Sequence, residues 1–186
     1  MRRTREAKAD THQEIVATAA AMLRERGIER TGVADVMRAA GLTHGGFYRH
    51  FPTKDALLEA ALDEAFQSVV GPLEEYFASV GGETALAGYE HYYVSHEHAA
   101  ARGSGCPMAA LSNDVARASA QLRSRFGAGV NRLAKLLATA LPGSAEQRRD
   151  QALRDIAMRA GAIMIARASD PDTAQAILSA CGTMSN

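Results

Sequence analysis

The chain has 186 residues, of which 47% are hydrophobic, so it is long enough to bury a core and too apolar to be disordered throughout. No apolar run approaches the roughly 20 residues of a membrane helix, and polar residues follow the first arginines where a secretory signal would be apolar, so we expect a cytoplasmic protein. The net charge is zero, but residues 1–54 hold ten Lys or Arg against six Asp or Glu, which suits a nucleic-acid-binding segment and is equally compatible with ordinary variation of surface charge.

The first two predicted helices end with the same stop signal. Apolar residues recur at helical spacing from about Asp10, and Gly27 follows as a left-handed stop from which Ile28 can close onto Leu23 in a Schellman contact. A second, shorter helix carries Val33, Val36, Met37 and Ala40. It ends in the same way, with Gly41 as the stop and Leu42 reaching back to Met37.

A third short helix is predicted to begin directly after this turn. Thr43 is a suitable N-cap, and Leu42 can pack on Phe47 as a hydrophobic staple. Phe47 and Phe51 lie four residues apart and face inward, Pro52 ends the helix, and Thr53 caps the next one. Two short helices joined by the turn Gly-Leu-Thr are typical of a helix-turn-helix.

The rest of the chain is predicted to be helical as well. A long helix follows Thr53 and is broken or kinked at Gly71-Pro72, and a helix over about 85–101 follows Gly81-Gly82. A loop over 102–107, a further helix, a long helix ending at Pro142-Gly143, and two last helices over 145–168 and 171–181 complete the chain. We therefore expect an all-α protein of about nine helices, with a DNA-binding head over 1–53 and a helical body over 54–186.

The exposed face of the third helix is the strongest functional candidate. Thr43, His44 and the small Gly45 can approach base edges in a major groove. Tyr48, His50 and Lys54 are suited to phosphate oxygens, and Arg49 shares their exposed face. The alternative is a solvated polar face without a ligand.

The chain resembles the TetR family of bacterial regulators from Ile15 to about Leu62. The most specific part runs from Thr31 to Leu58 and includes Gly-Leu-Thr-His-Gly-Gly-Phe-Tyr-Arg-His-Phe-Pro-Thr-Lys-Asp. The resemblance implies that Thr43, His44 and Gly45 approach bases, that Tyr48, His50, Lys54 and Thr31 hold phosphates, and that Arg2, Arg3 and Arg5 before the first helix reach the minor groove. Gly32 stands where the family commonly has Ser or Thr, so a capping hydroxyl is missing.

The resemblance also implies a repressor that dimerises through its last two helices (about 145–181) and leaves a palindromic operator when an effector binds among its middle helices. The body itself gives weaker signals, because its candidates can equally be ordinary core. Small residues for close helix packing are Ala157, Ala160, Gly161 and Ala166. Candidates for a ligand pocket are Tyr89, Tyr92, Tyr93, Cys106, Met108, Leu111, Leu122, Phe126 and Met164.

Two groups of reactive side chains leave alternatives open. His91, His96, Glu97 and His98 do not share one helical face, so a solvated polar stretch is favoured over a metal site. Cys106 and Cys181 lack the spacing of a zinc site or a disulfide framework. Cys106 stands at a predicted helix start, where amides can lower a thiol pKa, so it is either a small buried residue or a sensor of thiol-reactive effectors, as in some TetR-like relatives.

Two other classes of function compete with a transcriptional regulator. An enzyme is disfavoured because Gly103-Ser-Gly lacks the first glycine of a nucleophile elbow and no nucleotide-binding glycine pattern occurs, so we expect no catalytic residues and no cofactor. A helical adaptor could keep the head without using it and bind only another protein.

Overall fold

A computed structural model describes the backbone of residues 2–182 and the side chains of residues 7–182, which form nine α-helices and one 3₁₀ helix without a strand. The bounds are α1 Arg2–Arg26, α2 Val33–Ala39, the 3₁₀ helix His44–Arg49, α3 Lys54–Val80, α4 Gly82–Tyr93, α5 His96–Ala100, α6 Pro107–Ala116, α7 Ala120–Ala138, α8 Ala145–Ala168 and α9 Pro171–Gly182. The all-α prediction is confirmed.

The first helix begins at Arg2, so the predicted start near Asp10 was wrong. The apolar pattern begins late, but the preceding residues are mostly good helix formers without Gly or Pro. Gly27 is the predicted stop, with a φ of +84° and its N–H donating to the Leu23 carbonyl at 2.8 Å. The Schellman closure by Ile28 is absent, because the Ile28 N–H donates to the Asp114 carboxylate of α6 at 2.8 Å instead.

The second helix ends with the complete Schellman motif that the sequence predicts. Gly41 has a φ of +71°, which only glycine adopts without strain. The Leu42 N–H donates to the Met37 carbonyl at 2.8 Å, and the Gly41 N–H donates to the Arg38 carbonyl at 3.0 Å. These two bonds turn the chain directly into the next element.

That next element is a 3₁₀ helix, where an α-helix was expected. The Thr43 side chain makes no capping bond, and the Gly46 N–H donates to the Thr43 carbonyl at 3.0 Å. Gly45 and Gly46 explain the tighter form, because glycine is a poor α-helix former. Phe47 and Phe51 are buried as predicted, and the Thr53 hydroxyl accepts the Ala56 N–H at 3.1 Å, as a cap should.

Two helices of the body differ from their predicted extents. The long helix α3 continues through Pro72 to Val80, and Gly81, with a φ of +86°, ends it. The helix predicted over 85–101 is two helices, because Ser95 caps α5 by accepting the His98 N–H at 3.1 Å. The predicted bounds of α8 and the Asp170 cap of α9 are confirmed.

The head and the body share one continuous hydrophobic core. Helix α1 packs on α3, α3 also packs on α7, and α7 packs on α8, which lies beside α9. No helix of the described residues is long and apolar enough to cross a membrane.

Candidate DNA interface and ligand cavity

The 3₁₀ helix presents most of the predicted DNA-binding side chains to solvent. Tyr48 is 72% exposed although Phe47, next to it, is 1% exposed. His44, Gly45 and Arg49 are exposed on the same short element. Burying Phe47 on one side of these six residues, with Phe51 buried just after them, therefore leaves the polar side chains on the other side.

Two exposed polar residues flank this helix in the chain. Thr43 is exposed just before it, and Lys54 is exposed at the first position of α3. The N-terminus of α3 leaves backbone N–H groups that favour an anion beside the lysine. A cation and free amides in one place are suited to a phosphate group.

His50 is only partly exposed, and its Nδ1 atom is buried without a hydrogen-bond partner among the described residues. Burial lowers the pKa of His50, and the nearby His12, Lys8 and Arg49 lower it further. His50 is therefore mainly neutral at pH 7 in the protein without DNA.

Thr31 does not fit the phosphate-binding role that the resemblance implies. Its side chain is 2% exposed, and its hydroxyl donates to the Gly27 carbonyl at 2.7 Å. The residue ties the turn between α1 and α2 together instead. The side chains of Arg2, Arg3 and Arg5 lie outside the described residues, and their backbone belongs to α1 and not to a segment before it.

A cavity of about 390 Å³ opens between the second half of α3, α4, α5 and the start of α6. Four of the nine predicted pocket residues line it: Tyr89, Tyr92, Tyr93 and Cys106. The other lining residues are Val69, Pro72, Leu73, Tyr76, Gly88 and His98. The cavity wall is therefore mainly aromatic and aliphatic.

The other five predicted pocket residues lie elsewhere. Met108, Leu111 and Leu122 are buried in the core, and Phe126 packs edge-on against Phe66 with ring centroids 5.5 Å apart. Met164 lines a separate surface crevice together with Arg24 and Asp114. These side chains were candidates by residue type, and their helices turn them away from the cavity.

The sequence predicts a break or a kink at Gly71-Pro72, so the cavity wall formed by α3 was not expected. Val69, Pro72, Leu73 and Tyr76 follow the spacing i, i+3, i+4 and i+7, which places them on one face of a continuous helix. Pro72 costs the helix one hydrogen bond and still does not end it. The spacing was the signal that could have revealed this wall.

His98 joins the cavity to the start of α6, so the predicted solvated stretch is wrong at this residue. Its side chain is 3% exposed, with Nδ1 2.6 Å from the Tyr93 carbonyl and Nε2 accepting the Cys106 N–H at 3.0 Å. This pair of bonds requires the neutral ring with the proton on Nδ1, and burial lowers the pKa of His98 accordingly. No cluster of three potential metal ligands occurs among the described residues.

Cys106 is buried at the base of the cavity, with 1% of its surface exposed. Burial raises the pKa of its thiol, while the Tyr93 hydroxyl and the backbone amides of Ala109 and Met108 lower it by less. The amides at the helix start thus lower the Cys106 pKa as predicted, but burial raises that pKa by more. The thiol of the resting protein is protonated and shielded.

Arg24 connects this region to the head. It is 8% exposed, and its Nε donates to the Gly103 carbonyl at 2.7 Å in the loop that precedes Cys106. Its Nη1 donates to the Ala65 carbonyl at 3.1 Å and to the Ser68 hydroxyl at 2.9 Å on α3. One guanidinium therefore holds the cavity loop, α1 and α3 together.

Helix α8 leaves an apolar stripe uncovered among the described residues. Ile165 is 55% exposed, Ala157 is exposed, and nothing lies within 4 Å of a Cβ added at Gly161. Ala160 and Ala166, which were also candidates for close packing with a partner, are buried in the chain's own core.

Comparison with known proteins finds similarity first in the head. Residues 15–61 match the family model of bacterial regulatory proteins, tetR family. Over 68 residues the chain is 37% identical to the HTH-type transcriptional regulator TtgR of Pseudomonas putida. These residues make up 37% of this chain and 32% of TtgR. The match thus spans only about a third of the length of that curated relative.

Longer matches extend the similarity into the body. The chain is 27% identical over 139 residues to the HTH-type transcriptional repressor NemR of Escherichia coli, covering 74% of this chain and 70% of NemR. The reduced form of E. coli NemR superposes with a TM-score of 0.77 at 23% identity, over 92% of this chain and 95% of NemR. A TetR transcriptional regulator of Chloroflexus aurantiacus gives 0.74 at 25% identity, over 98% and 96% of the two chains.

Proposed function

Since this chain belongs to the tetR family of bacterial regulatory proteins through residues 15–61, we propose that it is a transcriptional repressor that binds a palindromic operator as a homodimer. An effector that enters the cavity of the body releases it from the DNA. We place the protein in the cytoplasm, without catalytic activity, and divide it into a head over 1–53 and a body over 54–186.

The observation that supports this proposal most directly is the 3₁₀ helix, which buries Phe47 and exposes His44, Gly45, Tyr48 and Arg49 to solvent. We assign base contacts to Thr43, His44 and Gly45, and phosphate contacts to Tyr48, Arg49, His50 and Lys54. The two kinds of contact have different roles: phosphate contacts position the protein on the DNA, and base contacts determine which sequence it binds.

Operator binding is tested with sequences selected from random DNA and measured over a series of salt concentrations. Lys54→Ala should weaken binding to every sequence and flatten the dependence of log K on log salt by about one unit per protomer. Lys135→Ala is the control, because Lys135 is also exposed and follows Arg132 of α7, which pairs with Glu74 near the opposite end of α3 from Lys54. Equal salt slopes for the two variants would remove Lys54 from the interface. Absence of any DNA retention at low salt would favour the adaptor alternative.

Dimerisation is proposed through α8 and α9, because the stripe at Ala157, Gly161 and Ile165 offers close approach without a covering element in the chain. Two-fold symmetry of the protein would then match a palindromic site. Ile165→Glu places a charge in the middle of this stripe. We expect sedimentation to shift from a dimer to the 19.7 kDa monomer, and a variant that stays dimeric would refute this interface.

The effector is proposed to be a small molecule or a thiol-reactive compound. The cavity supports the first, and Cys106 at its base supports the second once a ligand or a loop movement uncovers the thiol. The similar NemR structure is described as the reduced form, which supports keeping a thiol-reactive compound beside a small molecule as a possible effector. Release of operator DNA by a compound, abolished by substitutions in the cavity, is the decisive measurement.

A further inference from the structure

A surface crevice of about 390 Å³ lies where the end of α1, the loop before α6, α6 itself and the end of α8 meet. We call it the arginine crevice, because its lining includes Arg24, Arg26, Arg102 and Arg167. Among the described residues, the carboxylates that line it are Glu25 and Asp114. Four cations against two anions leave the lining with a net charge of +2.

Both carboxylates of the arginine crevice are already engaged. Asp114 accepts the Ile28 N–H at 2.8 Å and lies 3.3 Å from Arg117, which is outside the lining. Glu25 lies 3.8 Å from its chain neighbour Arg26. The excess positive charge therefore belongs to the other three arginines.

These three arginines are held by carbonyl oxygens and not by carboxylates. Arg24 donates to the Gly103 carbonyl at 2.7 Å, and Arg167 donates to the Ala99 carbonyl at 2.9 Å. Arg102 donates to the Arg167 carbonyl at 3.4 Å. No ion pair joins any of the three to a carboxylate within 4 Å among the described residues. The carbonyls fix where the guanidinium groups stand, but they do not neutralise the charge.

The guanidinium groups keep donors for a ligand, because each carries five N–H groups. The Nη2 atom of Arg24 and the Nη1 atom of Arg167 have no hydrogen-bond partner among the described residues, and neither atom is fully buried. Arg24 as a whole is only 8% exposed. A buried cation without a counter-ion is expensive, and an anion in the crevice would remove part of that cost.

Two of the arginines also repel each other. Burial lowers the pKa of Arg167, and the positive charge of Arg102 lowers it further. Like charges held this close are stabilised by an anion between them.

The crevice stays accessible in the dimer proposed above. Ile165 and Arg167 are two positions apart on α8, so their side chains point to nearly opposite sides of the helix. A partner on the stripe at Ile165 would therefore leave Arg167 uncovered. Arg102 is exposed at the other edge of the crevice.

We propose that the arginine crevice binds a small dianion, whose carboxylate or phosphate oxygens accept hydrogen bonds from Arg24, Arg102 and Arg167. Two negative charges balance the excess charge of the lining, and guanidinium groups bind such oxygens in short, charge-assisted bonds. This site is separate from the aromatic cavity, whose lining contains no carboxylate, lysine or arginine.

The test is isothermal titration of the full chain without DNA, at a fixed ionic strength of about 0.15 M and about pH 7.5. Malonate and inorganic phosphate are the dianionic probes, and acetate is the monovalent reference. We expect both dianions to bind roughly tenfold more tightly than acetate, because they place charge on more than one guanidinium. The tighter of the two dianions identifies the ligand as a carboxylate or a phosphate compound.

Arg102→Gln is the test variant. It removes one cation and one long hydrogen bond from an exposed position, so the fold should persist. Affinity for both dianions should fall roughly tenfold, as the loss of a bond to a charged group would give. Arg154→Gln is the matched control, because Arg154 is also exposed, donates to Gln151 at 3.0 Å, and lies about 20 Å before Arg167 along α8. Its affinity for the dianions should equal that of the wild type.

Three binding results would overturn the inference: no binding of either dianion, equal affinity for acetate and the dianions, or equal losses in Arg102→Gln and Arg154→Gln. Operator binding by Arg102→Gln is measured beside that of Lys54→Ala. A loss as large as that of Lys54→Ala would place Arg102 against DNA phosphates and would also overturn it. Loss of dianion binding with unchanged operator binding is the result that supports a separate anion site.

Discussion

Arg24→Met removes the guanidinium that joins α1 to the cavity loop and keeps most of the apolar stem. Three hydrogen bonds disappear, to Gly103, Ala65 and Ser68. A bond to a charged group contributes about 1.5–3 kcal/mol, but an apolar side chain avoids the cost of burying the cation. We therefore expect a loss of about 2–3 kcal/mol in the free energy of unfolding. For a chain of this size that lowers the melting temperature by roughly 4–12 °C.

The functional consequence of this substitution is sharper than the loss of stability. The bond to Gly103 reaches the loop before Cys106, so it is a direct connection between the cavity and the head. We expect Arg24→Met to retain operator affinity at a temperature where it is folded, while the effector changes that affinity less than in the wild type. Gel-shift titrations with and without effector measure both quantities.

Arg26→Met is the control for this experiment. Arg26 lies on the same helix, is about half exposed, and contacts only Glu25 at 3.8 Å among the ion pairs of the described residues. Such a surface pair contributes little, so its loss should change stability by less than about 0.5 kcal/mol. If the two variants match in stability and in effector response, Arg24 does not couple the cavity to the head.

Three further predictions concern single side chains. Because burial lowers the pKa of His98, the unfolded chain takes up the proton of this residue first as the pH falls, so the free energy of unfolding should decrease from about pH 7 to pH 5. His98→Gln should reduce the dependence of the unfolding free energy on pH by up to about 1.4 kcal/mol per pH unit. An unchanged pH dependence would contradict the assignment of a buried, neutral His98. Gly129→Ala should lower the free energy of unfolding, measured in urea, by about 1–2 kcal/mol, because the new Cβ would overlap the Phe66 ring of α3. Gly127→Ala on the same helix is the control: nothing lies near its new Cβ, so the free energy of unfolding should rise by up to about 1 kcal/mol. Iodoacetamide should label Cys181, which is partly exposed, faster than the buried Cys106 under native conditions, and the reverse order would show that the cavity base opens without a ligand.

The head was largely predictable from sequence because its signals are local. The glycine stop at Gly41 and the closing bond from Leu42 to Met37 lie within six residues, and the buried Phe47 and Phe51 are four residues apart. The 3₁₀ form of that element was missed, since the Thr43 cap signal was given more weight than the two glycines after it. The burial of Thr31 was missed because its hydroxyl binds a carbonyl that only the folded turn brings close.

The cavity was less predictable because its walls come from four separate helices. Residue type indicated Tyr89 and Tyr93, but nothing local distinguished them from Met108 or Leu111, which face the core. His98 resembles a solvated residue until α6 supplies the Cys106 N–H that its ring accepts. Such contacts depend on how helices pack, which a periodic pattern along one helix does not specify.

The junction at Gly27 limits how freely the two parts of such a protein can be exchanged. Its positive φ excludes most side chains, and the space where a Cβ would lie is occupied by the Asp114 carboxylate, which also accepts the Ile28 N–H. A hybrid that joins this head to the body of another regulator would keep the covalent connection and lose the acceptor at the end of α1. Exchange of heads between relatives should therefore cost less stability when the incoming body carries an acidic residue at the position of Asp114, so this contact influences which DNA-binding head can be combined with which body.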